Sequence, residues 1–238
     1  MTALAELRVK IFADGADKAG MLEMYRNDLI KGFTTNPTLM RKAGITDYRA
    51  FARDILSAIP DKLISFEVFS DDFEEMHSQA CQIAEWGDNV YVKIPVTNTL
   101  GQSSTELIRR LARIGIKVNV TALMTLDQVR ETSAALAQGP ASCISVFAGR
   151  IADSGRDPVP LMAAAVELLR PYPNIELIWA SPRELLNIFQ AHMVGCHIIT
   201  ATNDILGKLG LVGKDLKEYS LDTVKMFRED AVKAGYSL

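Results

Sequence analysis

Lys93 is the residue whose surroundings most constrain its chemistry. It lies in the run NVYVKIPV, between Val92 and Ile94, with Tyr91, Pro95 and Val96 beyond them. An ammonium in such a run has poor access to water, and burying it unpaired is expensive. Three readings compete. The chain could snorkel to a rim. It could form a buried ion pair with Asp14 or Glu67. It could also be a desolvated amine, partly neutral, that attacks a carbonyl carbon. The third reading needs groups that move protons and groups that hold substrate oxygens. Candidates end several other apolar runs: Asp14 in IFAD, Thr35 and Asn36 in FTTNP, Glu67 in LISFEV and Ser145 in ISVF. Asn119 and Thr121, in KVNVTAL, are two apart and so share one face of a strand.

Two arginines follow other runs, Arg150 in FAGR and Arg183 in ASPR. The plain reading is a solvated charge at a helix start. A cation there opposes the helix dipole, however. A phosphate held by Arg150, Arg183, the Ser181 hydroxyl and the first N–H groups of a helix opening at Pro182 would resolve that conflict.

These residues must be placed by an alternation of short strands and longer helices. The strands are predicted at Val9–Asp14, Phe33–Asn36, Leu63–Val68, Asn89–Pro95, Ile116–Leu123, Cys143–Gly149, Ile175–Ser181 and His197–Thr202. Several are apolar on both faces, as parallel strands covered on both sides are. Helices are predicted at Asp47–Ala58 after Thr46, Asp71–Trp86 after Ser70, Gln102–Ile114 before Gly115, and Leu126–Gln138 before Gly139. Others are predicted at Pro158–Arg170, Pro182–Met193 and Leu216–Ala234. Eight such strands predict an α/β fold, a (β/α)₈ TIM barrel over about 9–210 with a helical extension over about 214–238, read as one domain spanning 1–238. An open doubly wound sheet is the alternative, but IFADGADKAG lacks its glycine fingerprint. In a barrel, the polar strand ends gather at one mouth. Gly207, Gly210 and Gly213 do not match a phosphate loop and predict a helix stop and a turn.

Composition narrows the function classes. The 238 residues are 48% hydrophobic and 23% charged, which excludes disorder as the main state. With 26 basic and 29 acidic side chains, no broad footprint for nucleic acid is expected. No apolar stretch is long enough to span a membrane, and MTALAELRVKIF does not read as a signal peptide. Cys81, Cys143 and Cys196 are odd in number and widely spaced, so they read as buried thiols of a reducing cytoplasm. His77, His192 and His197 show no zinc-clamp spacing, and no metal site is expected.

The segments IFADGAD, KGFTTNPTL, ISFEVFS, VYVKIPVT, GIKVNVTALMTLDQ, ISVFAGRIADSG and WASPREL together resemble the transaldolase family, in its small branch that includes fructose-6-phosphate aldolase. The resemblance implies a cofactor-free class I enzyme of pentose-phosphate metabolism, acting on sugar phosphates and assembled as a pentamer or decamer. It implies that Lys93 forms a Schiff base and that Asp14 is the acid/base for carbon–carbon cleavage. Glu67 and Thr121 would hold a proton-shuttling water. Thr35, Asn36, Asn119 and Ser145 fall at donor-binding positions, and Arg150, Ser181 and Arg183 at the phosphate site. Glu67 and Phe147 resemble the transferring branch, where cleaving relatives tend to carry Gln and Tyr. Val146, the Ala201–Thr202 pair and Gly15 depart from the family pattern around the pocket.

Overall fold

The computed structural model describes residues 4–237; residues 1–3 and 238, the ends of the expected single domain, lie outside it. Eight strands close a parallel barrel in sequence order: β1 (Lys10–Asp14), β2 (Ile30–Thr34), β3 (Leu63–Glu67), β4 (Val90–Pro95), β5 (Val118–Leu123), β6 (Ser142–Val146), β7 (Ile175–Trp179) and β8 (Ile198–Thr202). β8 pairs back onto β1 from Lys10↔Ile198 to Asp14↔Thr202, which completes the closure. The TIM barrel read from the alternation is thus present; most strands are slightly shorter than the expected runs, whereas β2 lies earlier than Phe33–Asn36, at Ile30–Thr34, because the chain leaves the sheet for α2 at Asn36 and Pro37.

Side-chain alternation sorts each strand into two faces. Outward residues such as Phe33, Phe66, Val92, Ile144 and Trp179 join the main core beneath the helices. Inward residues form a smaller cluster of Phe12, Cys143, Ile178, Ala180 and Ile198, backed by Leu63, Tyr91 and Phe147. This cluster fills the barrel below the polar mouth. Gly32 belongs to the same face: a Cβ there would lie 2.6 Å from the Phe12 ring.

The helices are α1 (Lys18–Tyr25), α2 (Pro37–Lys42), α3 (Tyr48–Ala58), α4 (Phe73–Ala84), α5 (Thr105–Arg113), α6 (Leu126–Leu136), α7 (Ala148–Asp153), α8 (Val159–Leu169), α9 (Leu186–Met193), α10 (Asn203–Leu206) and α11 (Leu216–Lys233). Their caps correct several expected starts. Asp47, not Thr46, caps α3 by accepting from Ala50 N–H at 2.9 Å. Asp72, not Ser70, caps α4 through the N–H groups of Glu74 and Glu75. A carboxylate accepts these bonds and also offsets the dipole, so it outcompetes the neighbouring hydroxyl. Helix α9 opens at Leu186, not at Pro182. Gly115, at φ +82°, ends the α5 turn as its position suggested. Residues Gly207–Leu211 form a short 3₁₀ turn. Cys143 and Cys196 are buried, whereas Cys81 is only half-buried. No helix among the described residues is long and apolar enough to cross a membrane.

Candidate active site

At the C-terminal mouth of the barrel is a cavity of about 630 Å³. Lys93 reaches it from β4, paired in register with Glu67 on β3 and Asn119 on β5. The residue is 6% exposed, which removes the snorkelling reading. Its Nζ lies 3.1 Å from Glu67 Oε2 and donates to the Thr35 carbonyl at 2.8 Å. The ion pair and the reactive amine therefore coexist geometrically, because the same Nζ borders both a carboxylate and a cavity.

Asp14 enters from the end of β1. Thr34 Oγ1 donates to its Oδ1 at 2.7 Å, and Asn36 Nδ2 approaches Oδ2 at 3.4 Å. Thr34 is braced in turn by Thr200 Oγ1 at 2.6 Å. Burial pushes the Asp14 carboxyl above the ordinary carboxylate value; the Lys93 charge and the Thr34 hydrogen bond oppose that rise, and the Glu67 charge adds to it.

The opposite wall comes from β5 and β6. Asn119 is fully buried beneath the mouth; its Nδ2 donates to Ser65 Oγ at 3.1 Å and its Oδ1 accepts from Ser145 Oγ at 2.7 Å. Thr121 lines the cavity, and its Oγ1 is buried with no hydrogen-bond partner among the described residues. Its neighbour Ala122 has φ +67°, and the β5–β6 register shifts between Val120 and Leu123. This irregularity lets the consecutive Thr121 and Ala122 both line the cavity, which a regular strand forbids.

The far wall carries positive charge. Arg183 is forked onto Asp153, with Nε to Oδ1 at 2.7 Å and Nη2 to Oδ2, and its Nη1 donates to Ser181 Oγ at 3.0 Å. That pairing holds the Asp153 carboxyl below its ordinary value and the Arg183 guanidinium above its own. Arg150 lies exposed on α7 and also borders the cavity. Ser181 itself is at φ +58°, a costly conformation for a residue with a Cβ. The expected helix start at Pro182 is absent. Instead Asn187 Oδ1 accepts from the N–H groups of Arg183 and Glu184, so those donors are taken by the protein.

Of the residues singled out from sequence, Asp14, Asn36, Glu67, Lys93, Thr121, Ser145, Phe147, Arg150, Ser181 and Arg183 line this one cavity. Asn119 lies under it. Thr35 points away, its hydroxyl donating to Ser65 O at 2.8 Å, and only its carbonyl meets Lys93. The strand parity could have shown this, since an inward Asn36 puts Thr34, not Thr35, on the inner face. Thr34, Thr200 and Lys42 also line the cavity without having been singled out, as does Thr202, which the sequence marked only as part of a departure from the family pattern. Thr200 and Thr202 were legible in the alternation of IITAT; Lys42, on a six-residue helix, had no comparable signal. Among the described residues, no group of three or more His, Cys, Asp or Glu is placed to hold a metal ion.

Solved structures of similar shape include 3-hexulose-6-phosphate synthase from Salmonella typhimurium, with TM-score 0.56 and 15% identity over 84% of this chain and 91% of that one. Another is 3-keto-L-gulonate-6-phosphate decarboxylase from Vibrio cholerae, with TM-score 0.55 and 11% identity over 82% and 88%. At these identities they support the barrel alone. Sequence relatives are closer. A "probable transaldolase" of Dehalococcoides mccartyi is 34% identical over 199 residues, covering 83% of this chain and 88% of the relative. A second "probable transaldolase", from a Thermoanaerobacter species, is 32% identical over 231 residues, covering 97% and 100%. The model of the transaldolase/fructose-6-phosphate aldolase family matches residues 11–238. With almost its whole length matched in this way, the chain belongs to the transaldolase/fructose-6-phosphate aldolase family.

Proposed function

We propose that the chain is a class I transaldolase that moves a dihydroxyacetone unit from a ketose phosphate to an aldose phosphate. The observation that carries this reading is the placement of one buried amine, Lys93 Nζ, between a carboxylate at 3.1 Å and a cavity bordered by Asp14. Glu67 can take a proton from Nζ, leaving the lone pair free to attack the ketone carbon. The resulting carbinolamine loses its hydroxyl as water, with Glu67 returning the proton through a water held at Thr121. The product iminium is an electron sink. Asp14 takes the C4 hydroxyl proton, the C3–C4 bond breaks, and its electrons form an enamine on Lys93 while an aldose phosphate leaves. The enamine then adds to a second aldose phosphate, Asp14 gives the proton back, and hydrolysis frees the new ketose. A carboxyl raised above its ordinary value suits this two-way role.

Asn36 and Ser145, the latter fixed by Asn119, are the groups we assign to donor hydroxyls, and Arg150, Ser181 and Arg183 to the phosphate. Phe147 presents an apolar ring to the cavity, with no hydroxyl to deliver water to the enamine, which favours transfer over release. The same reading makes the chain a cytoplasmic homo-oligomer, a pentamer or decamer. It is supported by α11, whose Leu221, Val224, Met226 and Phe227 are all exposed on the single chain.

Borohydride reduction in the presence of fructose 6-phosphate should fix a three-carbon adduct on Lys93, read by peptide mass, and Lys93→Met should abolish both adduct and turnover. An unmodified Lys93 in the active protein would overturn the mechanism. Release of free dihydroxyacetone at the full turnover rate without an acceptor aldehyde would make the protein an aldolase instead.

A further inference from the structure

Strand β3 ends at Glu67 with a backbone problem that the rest of the barrel does not solve. Along β3, the N–H and C=O groups of Ser65 and Glu67 face β2, while those of Ile64 and Val68 face β4, as the Ile64 N–H to Asn89 O and Val68 N–H to Lys93 O bonds show. The β2–β3 ladder stops at Thr34↔Ser65, with one last bond from Thr35 N–H to Ser65 O at 3.2 Å. Beyond it the chain turns into α2 at Asn36 and Pro37, and proline has no N–H to offer. Glu67 is therefore left with a donor and an acceptor that no strand can satisfy.

Tyr48 satisfies both. Its Oη accepts from Glu67 N–H at 2.8 Å and donates to Glu67 C=O at 2.8 Å. The phenol comes from the first residue of α3 and is fixed edge-on by the rings of Phe66, Phe69 and Trp86, at centroid distances of 6.2, 5.8 and 5.5 Å. We infer that Tyr48 is a positioning residue for the site: by standing in for the missing strand, its hydroxyl fixes the backbone of Glu67 and so the approach of that carboxylate to Lys93. The inference rests on the proton-transfer role given to Glu67 in the proposed function. Burial also raises the Tyr48 hydroxyl well above the ordinary tyrosine value, so it keeps the proton it donates.

The test uses the full-length protein. Tyr48→Phe keeps all three ring contacts and removes only the hydroxyl. It should slow the rate of borohydride-trappable adduct formation about tenfold, short of the ~100-fold that a full ångström of misplacement can cost. The pH dependence of trapping should shift with it. In a Glu67→Gln background the same change should add less than twofold, because the two substitutions disable one device. Phe69→Leu trims one of the three ring contacts but leaves the hydroxyl and both of its hydrogen bonds, and should slow trapping less than Tyr48→Phe does. Amide exchange on the wild type reads the geometry without any variant: Glu67 N–H should be protected like a strand amide, although no strand covers it. A wild-type trapping rate and pH profile in Tyr48→Phe, an undiminished effect in the Glu67→Gln background, or a Glu67 amide that exchanges like a loop would overturn the inference. No adduct in the wild type would remove the proposed function and this inference with it, whereas a wild type that traps while Tyr48→Phe behaves identically removes the inference alone.

Discussion

Asp14 carries a cost in stability that the acid–base role proposed for it would explain. Its folded value is raised, chiefly by burial, so its ionised form is disfavoured in the folded chain relative to the unfolded one. For a carboxyl raised in this way, the stability it contributes is fully present below its unfolded value and is lost as pH rises through the folded one. Asp14→Asn should therefore raise the thermal midpoint at pH 7, and the gain should fade as pH falls into the ordinary carboxylate range. Turnover should drop by about 10²–10⁴-fold, the usual weight of general acid–base catalysis, while some Lys93 adduct still forms. Calorimetry across pH and steady-state kinetics check the two halves separately; wild-type turnover would remove Asp14 from the mechanism. In the wild type, the acid limb of turnover should lie above the range of an unperturbed aspartate.

At the scale of elements, the wall that carries Arg150 and Arg183 depends on one close approach. A Cβ on Gly149 would lie 1.6 Å from the Ser181 carbonyl oxygen, so α7 can pack on the end of β7 only with glycine there. Gly149→Ala should push these elements apart, costing roughly 1–3 kcal/mol as overpacking does, or a fall of a few degrees in the thermal midpoint for a chain of this size. It should also raise KM for phosphorylated acceptors more than for unphosphorylated ones, because Asp153 on α7 holds Arg183. An unchanged midpoint would contradict the packing described. This wall is also where reading the chain alone fell short. Eight apolar runs were visible because burial on both faces writes itself into every strand position. Helices α1, α2, α7 and α10 were not, because elements of eight, six, six and four residues complete too few turns to show a period. Pro182 looked like a helix start, yet the side chain of Asn187, five residues on, takes the N–H groups of Arg183 and Glu184 and α9 opens later. Among site residues, Lys93 was legible because its surroundings are uniformly apolar. Thr34 was missed beside Thr35 because only the register of β2 decides which of the two faces inward. Tyr48 was invisible, since the donor and acceptor it satisfies are backbone groups.

The whole molecule has two surfaces with different demands. The described residues lining the cavity belong to one closed barrel and the short helices at its mouth. Helix α11 is the reverse case, with no buried residue along Leu216–Lys233 and with Leu221, Val224 and Phe227 exposed at 53, 60 and 64%. Apolar side chains at i, i+3 and i+6 share one side of a helix, and a contiguous stripe of this kind is costly to leave in water. If a second copy covers it, charge on that stripe should separate the copies without disturbing the barrel. The wild type should sediment well above the 26.2 kDa of one chain, and Val224→Lys with Phe227→Glu should shift it to lighter species. Because every lining residue is local, the separated chains should still be trapped on Lys93 by borohydride, with the far-ultraviolet dichroism of the barrel retained. A wild type that sediments at the mass of one chain would refute the assembly. Separated chains that no longer form the adduct would show that the barrel mouth, although closed by its own strands, needs a neighbour to hold its shape.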